Sequence, residues 1–300
     1  MSDQEYRCGF VAVVGRPNVG KSTLINSIMG SKISIVTAKP QTTRHRILAV
    51  HTSKTVQILF VDTPGIHRNT GKAMNKLMNR TAISALMDAD LILFVVEASR
   101  WTEEDDDVLR RVIKSGIPTI ALLNKVDNVH PREALLERLS EMALRHEFSE
   151  LMPISAKKGD NLAVLLDAIP PFLPESPALF PEQMRTDRSR EFHAAEVVRE
   201  KLTLMLHQEL PYGLTVQIER FEQEKDRIAI NAIIWVERDS QKGIVVGKGG
   251  SRLKQVGTAA RVDLKNQLGQ PVHLELWVKV KQNWADSIKD LHSLGFDTPG

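Results

Sequence analysis

Apolar positions follow two periods that alternate through the first half of the chain. Short, mainly apolar runs at 10–14, 47–50, 56–61, 91–96, 119–123 and 151–154 have the length and β-branched content of strands. Between them the spacing becomes helical. Leu24, Ile25, Ile28 and Met29 fall on one face, Met74, Leu77, Met78, Ile83, Leu86 and Met87 form a second stripe expected to be core, and 105–114 reads as a further helix. This alternation predicts an α/β unit with a doubly wound, mainly parallel sheet. The acidic run 103–107 fits the first turn of a helix, where negative charge complements the helix dipole.

Pro170, Pro171, Pro174, Pro177 and Pro181 then interrupt the pattern, and proline both removes a backbone donor and stops a helix. A boundary is placed there, giving a first domain over 1–174, a proline-rich linker over 175–188 and a second domain over 189–300. From Ser189 a long helix carries Phe192, Ala195, Val198, Leu202, Met205 and Leu206 on one side and stops before Pro211. Strands are expected at 214–221 and 228–236. A glycine-rich stretch, 243–251, leads into a helix bearing Arg252, Leu253, Lys254, Val256 and Arg261. In 272–280, Val272, Leu274, Leu276, Val278 and Val280 alternate as in a strand buried on one side.

Composition adds limits. Three hundred residues suit two domains, no apolar run reaches the roughly 18 residues of a membrane span, and the polar start of the chain lacks a signal-peptide core, so a cytoplasmic protein is expected. The single cysteine, Cys8, suits a reducing compartment and reads as a small residue near the start of the first strand. With a net charge of only +3, nucleic-acid affinity needs a local patch, and 242–290 supplies one, with nine Lys and Arg against four Asp and Glu.

The candidate chemistry sits at strand ends. Gly15, Arg16, Pro17, Asn18, Val19, Gly20, Lys21 and Ser22, followed by Thr23, satisfy the P-loop pattern between a strand and a helix. Backbone NH groups there cradle phosphates, Lys21 reaches the β/γ oxygens and the Ser22 hydroxyl serves Mg²⁺. In the polar stretch 31–46, read as a mobile loop, Thr42 or Thr43 is placed to complete the Mg²⁺ shell when a γ-phosphate is present. Asp62, Thr63, Pro64 and Gly65 end a strand, where Asp62 holds the metal through water and Gly65 NH senses the γ-phosphate. Lys21, Thr43, Asp62 and Gly65 form the candidate catalytic set. Asn124, Lys125 and Asp127 name the base: a carboxylate accepts from the N1–H and N2–H₂ donors of guanine, a pair adenine lacks. Ser155, Ala156 and Lys157 back that base with a backbone NH and aliphatic packing.

These five motifs resemble the translation-factor-related class of GTPases, and the forms GRPNVGKST, QTTRHR, VDTPG and NKVDN resemble its Era family, in the branch that also holds TrmE and EngA. The order α-β-β-α-α-β around Gly247, Lys248, Gly249 and Gly250 resembles a type II KH domain, whose GXXG loop clamps about four nucleotides. Arg252 and Lys254 complete the candidate RNA site. The resemblance implies GTP hydrolysis with Mg²⁺, binding near the 3′ end of 16S rRNA, the 30S subunit as partner in ribosome assembly, and a monomer. Ile66 stands where Ras-like GTPases carry a water-orienting glutamine, so slow unaided hydrolysis is expected. In related GTPases an asparagine at the position of Asn18 helps hold K⁺, which makes K⁺ a further expected cofactor. Two rivals stand beside this reading: a GTP-sensing module peripheral on the cytoplasmic face of the inner membrane, with incidental hydrolysis, and a P-loop ATPase acting on RNA. Trp277, Trp284 and Phe296 are read as packing residues rather than base-stacking ones.

Overall fold

Two sheets, each with its own apolar core, organise the computed structural model, which describes residues 6–65, 72–206 and 213–296. The first half runs β1 (Arg7–Val14), α1 (Lys21–Met29), β2 (Ile47–Thr52), β3 (Val56–Asp62), α2 (Ala73–Met87), β4 (Leu91–Glu97), α3 (Glu103–Ser115), β5 (Thr119–Asn124), α4 (Ala134–Ala143), β6 (Glu150–Pro153) and α5 (Leu162–Ala168). Its six strands lie in the order β2-β3-β1-β4-β5-β6, all parallel except β2 against β3. β3 and β4 flank β1 on opposite sides, so the chain reverses its winding direction at β1. Ligands of such sheets bind at the carboxyl ends of the strands at that switch point. The P-loop leaves β1 there, and Asp62 ends the adjacent β3.

Leu91, Ile92, Leu93, Phe94 and Val95 are fully buried, as an unbroken apolar run predicts for a strand covered on both faces. The α2 stripe splits instead. Met74, Leu77 and Met78 pack with Trp284, Leu291 and Phe296, and Leu86 packs under the sheet, but Ile83 and Met87 face solvent, correcting the expectation that the whole stripe is core. The helix meets two partners along its length, and Ala82 and Ala85 take the sheet-facing positions near its end.

The proline-rich segment is no free tether. Its carbonyls and side chains bind the first sheet: Cys8 N donates to Pro174 O at 3.1 Å, the buried Gln57 amide bonds the backbone of Leu179 and Phe180, and Val50 N donates to Arg185 O at 2.9 Å along the edge of β2. Prolines are tolerated in such a strap because they stand where only a carbonyl is used, as at Pro174, while the donors to Gln57 come from Leu179 and Phe180.

The second half runs α6 (Arg190–Met205), β7 (Leu214–Gln223), β8 (Ile228–Val236), α7 (Asp239–Val246), α8 (Ser251–Leu268), β9 (Val272–Val280) and α9 (Ile288–Ser293). β8 pairs antiparallel with β7 and parallel with β9, and α6 and α8 cover one face of the sheet. Ser189 caps α6 by accepting from Phe192 N. The α6 stripe is also divided: Val198, Leu202 and Leu206 join the second core, whereas Phe192 packs against the first. Residues 243–246, expected within a glycine loop, form the end of α7. Among the described residues no helix is long and apolar enough to cross a membrane.

Candidate functional site

The P-loop wraps the N-terminus of α1. Gly20 has φ 106°, and a Cβ there would lie 2.3 Å from Asn124 Nδ2, so the base-recognition strand lies directly beneath the loop. Asn124 ties the two together: Nδ2 donates to Val19 O at 2.7 Å and Oδ1 accepts from Ala156 N at 2.9 Å. Lys21 Nζ donates to Gly15 O and Arg16 O at 2.9 and 3.0 Å, and burial lowers its pKa to about 8. Thr63 Oγ1 bonds Val13 O at 3.0 Å, and Gly65 lies so close to Pro17 that a Cβ would meet it at 2.9 Å. The two phosphate-facing turns are thereby packed on each other, with Pro64 between the contacts. Ile66 lies outside the described residues.

A cavity of about 400 Å³ opens over this loop, lined by Lys21, Ser22 and Thr23 on one side and by residues 35–38 and 41–43 on the other, with Gly65 and Lys125 at its margins. At one end, Ser22 Oγ stands 2.8 Å from both Asp62 Oδ2 and Thr43 Oγ1. Burial pushes the Asp62 carboxyl up, against the Lys21 charge and the hydroxyls of Ser34, Ser22 and Thr43. Asp62 Oδ1 is buried without a hydrogen bond, and hard oxygen donors gathered around an unpaired carboxylate oxygen fit Mg²⁺. Of the two threonines, the structure brings Thr43 here. The Thr42 hydroxyl turns to Lys39 O at 2.7 Å and to Thr37 Oγ1 at 2.6 Å. Asn18, in the left-handed region at φ 64°, donates from Nδ2 to Ala38 O at 2.8 Å and so bridges the P-loop to the opposite wall.

At the base end, Asp127 Oδ1 accepts from Ser155 Oγ at 2.7 Å, which fixes the carboxylate, while Lys157 is exposed beside it. Arg16 departs from expectation. Its side chain points away from the cavity, is 4% exposed, and bonds Asp105 Oδ2 at 3.0 Å and Glu97 Oε2 at 2.9 Å. Although burial works the other way, Arg16 and Lys125 hold the Glu97 carboxyl below its usual range, Lys125 Nζ lying 3.3 Å from it. Glu97 and Asp105 were not identified from the sequence, although Thr102 and Asp105 form a capping box that places the latter.

The second candidate site lies between α7 and α8. Gly247, Gly249 and Gly250 have φ of 73°, 58° and 76°, and a Cβ on Gly249 or Gly250 would meet nothing within 4 Å, so that face is open to a close-approaching backbone. Lys248 and Lys254 are exposed there, whereas Arg252 Nη1 donates to Ile244 O at 2.8 Å and braces the turn. A groove of about 390 Å³ continues from Gly250 past Lys254, Gly257 and Arg261 to Leu274 and Leu276 of β9. The expected basic patch is divided. Lys279 lies on the other sheet face, 5.9 Å from the Trp235 ring centroid, and Lys281 is paired with Asp290 at 2.8 Å. Trp284 and Phe296 are buried in the cluster with α2, in keeping with packing roles, and Trp277 is 42% exposed.

Comparison with known proteins finds matches to both halves of the chain. Residues 10–125 match the family model described as 50S ribosome-binding GTPase, and 209–285 match the KH domain model. The chain is 49% identical to GTPase Era of Vibrio parahaemolyticus, covering 98% of this chain and 93% of that one. It is also 49% identical to GTPase Era of Coxiella burnetii, covering 97% and 98%. Among solved structures, Aquifex aeolicus Era bound to GDP and tetrafluoroaluminate superposes with TM-score 0.93 at 38% identity, covering 97% of this chain and 99% of that one. Era in complex with MgGDPNP and nucleotides 1506–1542 of 16S ribosomal RNA gives the same TM-score, identity and coverage.

Proposed function

This chain belongs to the Era family of GTPases, and from that premise we propose that its nucleotide state sets its grip on the 3′ end of 16S rRNA during 30S subunit assembly. The observation that carries this reading is that the loop facing the phosphates from residues 31–46 is bonded to α6 of the KH half, through Arg199 to Thr42 O and Glu200 to Val36 N. A γ-phosphate that repositions this loop moves what the KH half is anchored to.

Within the nucleotide site, Ser22 and Thr43 would hold Mg²⁺ directly and Asp62 through water, and the ion would neutralise charge developing on the phosphate oxygens. Lys21 balances the β/γ oxygens, and the NH of Gly65, fixed against Pro17, would donate to the γ-phosphate as a sensor. Asn124 and Asp127, locked by Ala156 and Ser155, select guanine. The side chain of Arg16 points away from the nucleotide and acts by holding the loop's shape through Asp105 and Glu97. Asn18 would help hold the expected K⁺ beside the phosphates, and the bond of its amide to Ala38 O would couple that ion to the facing loop. We assign the nucleotide domain to 1–174, the strap to 175–188 and the RNA domain to 189–300. The chain is taken to act as a cytoplasmic monomer. The membrane-docking alternative gains nothing from a basic patch split across two faces of a sheet.

Lys248 tests the RNA clamp. Lys248→Glu places a negative charge at the open glycine turn and is expected to weaken binding of a single-stranded RNA matching the 16S 3′ end by about tenfold, with GTP affinity unchanged. Fluorescence anisotropy at fixed salt reads both. Undiminished RNA binding would remove the turn from the RNA site.

A further inference from the structure

The stretch from Ser31 to Arg46 has no helix or strand of its own, so its shape must be imposed by what it touches. Its beginning is tied within the nucleotide half, where Asn26 Oδ1 accepts from Ile33 N and Ser34 N at 2.8 and 2.9 Å. Beyond Ser34 the nucleotide half still holds Ala38 through Asn18 and Thr43 through Ser22, and further ties come from the other half. Val36 N donates to Glu200 Oε1 at 3.1 Å, Arg44 Nη1 donates to Leu214 O at 2.7 Å, and the His45 ring sits against Phe192 and Phe296 at 5.2 and 4.6 Å.

One of these ties differs in kind. Arg199 is 2% exposed, and Glu196, one turn earlier on α6, holds its Nε and Nη2 at 2.6 Å each. That fork leaves Nη2 directed at Thr42 O as well. The next residue is Thr43, whose hydroxyl stands 2.8 Å from Ser22 Oγ and 3.5 Å from Asp62 Oδ2. A buried ion pair contributes little net stability compared with well-packed apolar groups, but a planar guanidinium clamped on one edge fixes the acceptor on its other edge in direction as well as distance.

We propose that Arg199, oriented by Glu196, is a positioning residue for GTP hydrolysis: it holds the peptide between Thr42 and Thr43 so that the Thr43 hydroxyl faces the metal site. The inference rests on the reading of Thr43 as an Mg²⁺ ligand. It places the control of one metal ligand on a helix of the RNA-binding half, and a displacement of α6 reaches the Thr42–Thr43 peptide through the Arg199 side chain.

The test uses the full chain with a fluorescent non-hydrolysable GTP analogue and fluorescent GDP, titrated with Mg²⁺, together with steady-state turnover. Arg199→Met is compared with Arg199→Lys and with the double variant Glu196→Gln/Arg199→Met, which removes the unpaired carboxylate and guards against a folding defect. Affinity for the GTP analogue in Mg²⁺ is expected to fall about tenfold in Arg199→Met and in the double variant, GDP affinity to hold, kcat to fall more than KM rises, and Arg199→Lys to restore part of the loss. Equal weakening of both nucleotides together with a lowered Tm, or no change in either, would overturn the proposal. Thr43→Val in the same titration separates the two readings. If it leaves the Mg²⁺ dependence of analogue binding unmoved, the Thr43 assignment fails; if it moves that dependence while the Arg199 variants do not, positioning by Arg199 fails.

Discussion

Asp127→Asn is expected to lower GTP affinity by on the order of 10³- to 10⁴-fold and to transfer the site to xanthosine triphosphate. The Asp127 carboxylate is held by Ser155 Oγ and presents acceptors only, which suits the N1–H and N2–H₂ donors of guanine. An asparagine keeps one acceptor, still able to take the Ser155 hydroxyl, but turns a donor toward the guanine amino group. Two donors then face each other in a half-buried site, and neither is satisfied. Xanthine carries a carbonyl where guanine carries the amino group, so the same asparagine pairs with both of its groups. Competition binding against labelled GDP, with GTP, XTP and ATP as competitors, reads the change. Unaltered GTP affinity would show that Asp127 does not touch the base, and an ATPase acting on RNA would be indifferent to the substitution.

The second large effect is on stability rather than ligand choice. Asp105→Ala leaves the buried Arg16 guanidinium without the partner that lies 3.0 Å from its Nε, and it also removes the acceptor of Thr102 N and Oγ1 at the start of α3. Breaking a buried pair from one side costs about 3–5 kcal/mol, and a lost cap adds about 1 kcal/mol. For a unit of this size that corresponds to a fall in Tm of roughly 10 °C or more. The double variant Arg16→Met/Asp105→Leu removes both charges and is expected to regain most of the loss. A single-variant loss below about 1 kcal/mol in reversible denaturation would contradict the view that this pair supports the P-loop from behind. Because Arg16 belongs to the loop itself, the single variant should also bind both GDP and GTP more weakly, unlike the Arg199 variants.

What could be read from the residues alone follows from where chemistry fixes residue type and spacing together. Gly15, Gly20 and Lys21 have no substitutes in a phosphate cradle, Ser22 could be replaced only by threonine, and Asp62, Asn124, Asp127 and Ser155 each follow a strand run, so their convergence at one sheet end was legible from pattern. Arg16 was not. The position is variable in the P-loop pattern, and its partners Glu97 and Asp105 are far off in sequence, the latter hidden in an acidic helix turn that the dipole already explained. Thr42 and Thr43 are neighbours of one chemistry, and only the turn made by Lys39 and Thr37 decides between them.

Helix α6 shows a related limit. Its apolar stripe predicted one covered face, yet Glu196, Arg199 and Glu200 on the remaining surface are buried as well. A signal was present in Ala194 and Val197, which widen the apolar surface beyond one stripe and point to a helix covered on two sides. The charges masked it, because charged residues are rarely buried unless paired, and pairing across two halves of a chain is a tertiary event. Ile83 and Met87 illustrate the converse, apolar residues turned to the outer side of α2 while Ala82, Ala85 and Leu86 take the buried side. The prolines of 170–181 predict a linker, but a segment that bonds to the sheet through its backbone has the same composition as a tether.

The coupling of nucleotide state to RNA grip is tested most directly by one measurement: the affinity of the full chain for a single-stranded RNA matching the 16S 3′ end, in the same buffer, loaded first with Mg²⁺ and a non-hydrolysable GTP analogue and then with Mg²⁺ and GDP. Binding at least about fivefold tighter is expected in the GTP-analogue state, the lower bound of an ordinary coupling between two sites. Equal affinity in the two states would contradict it.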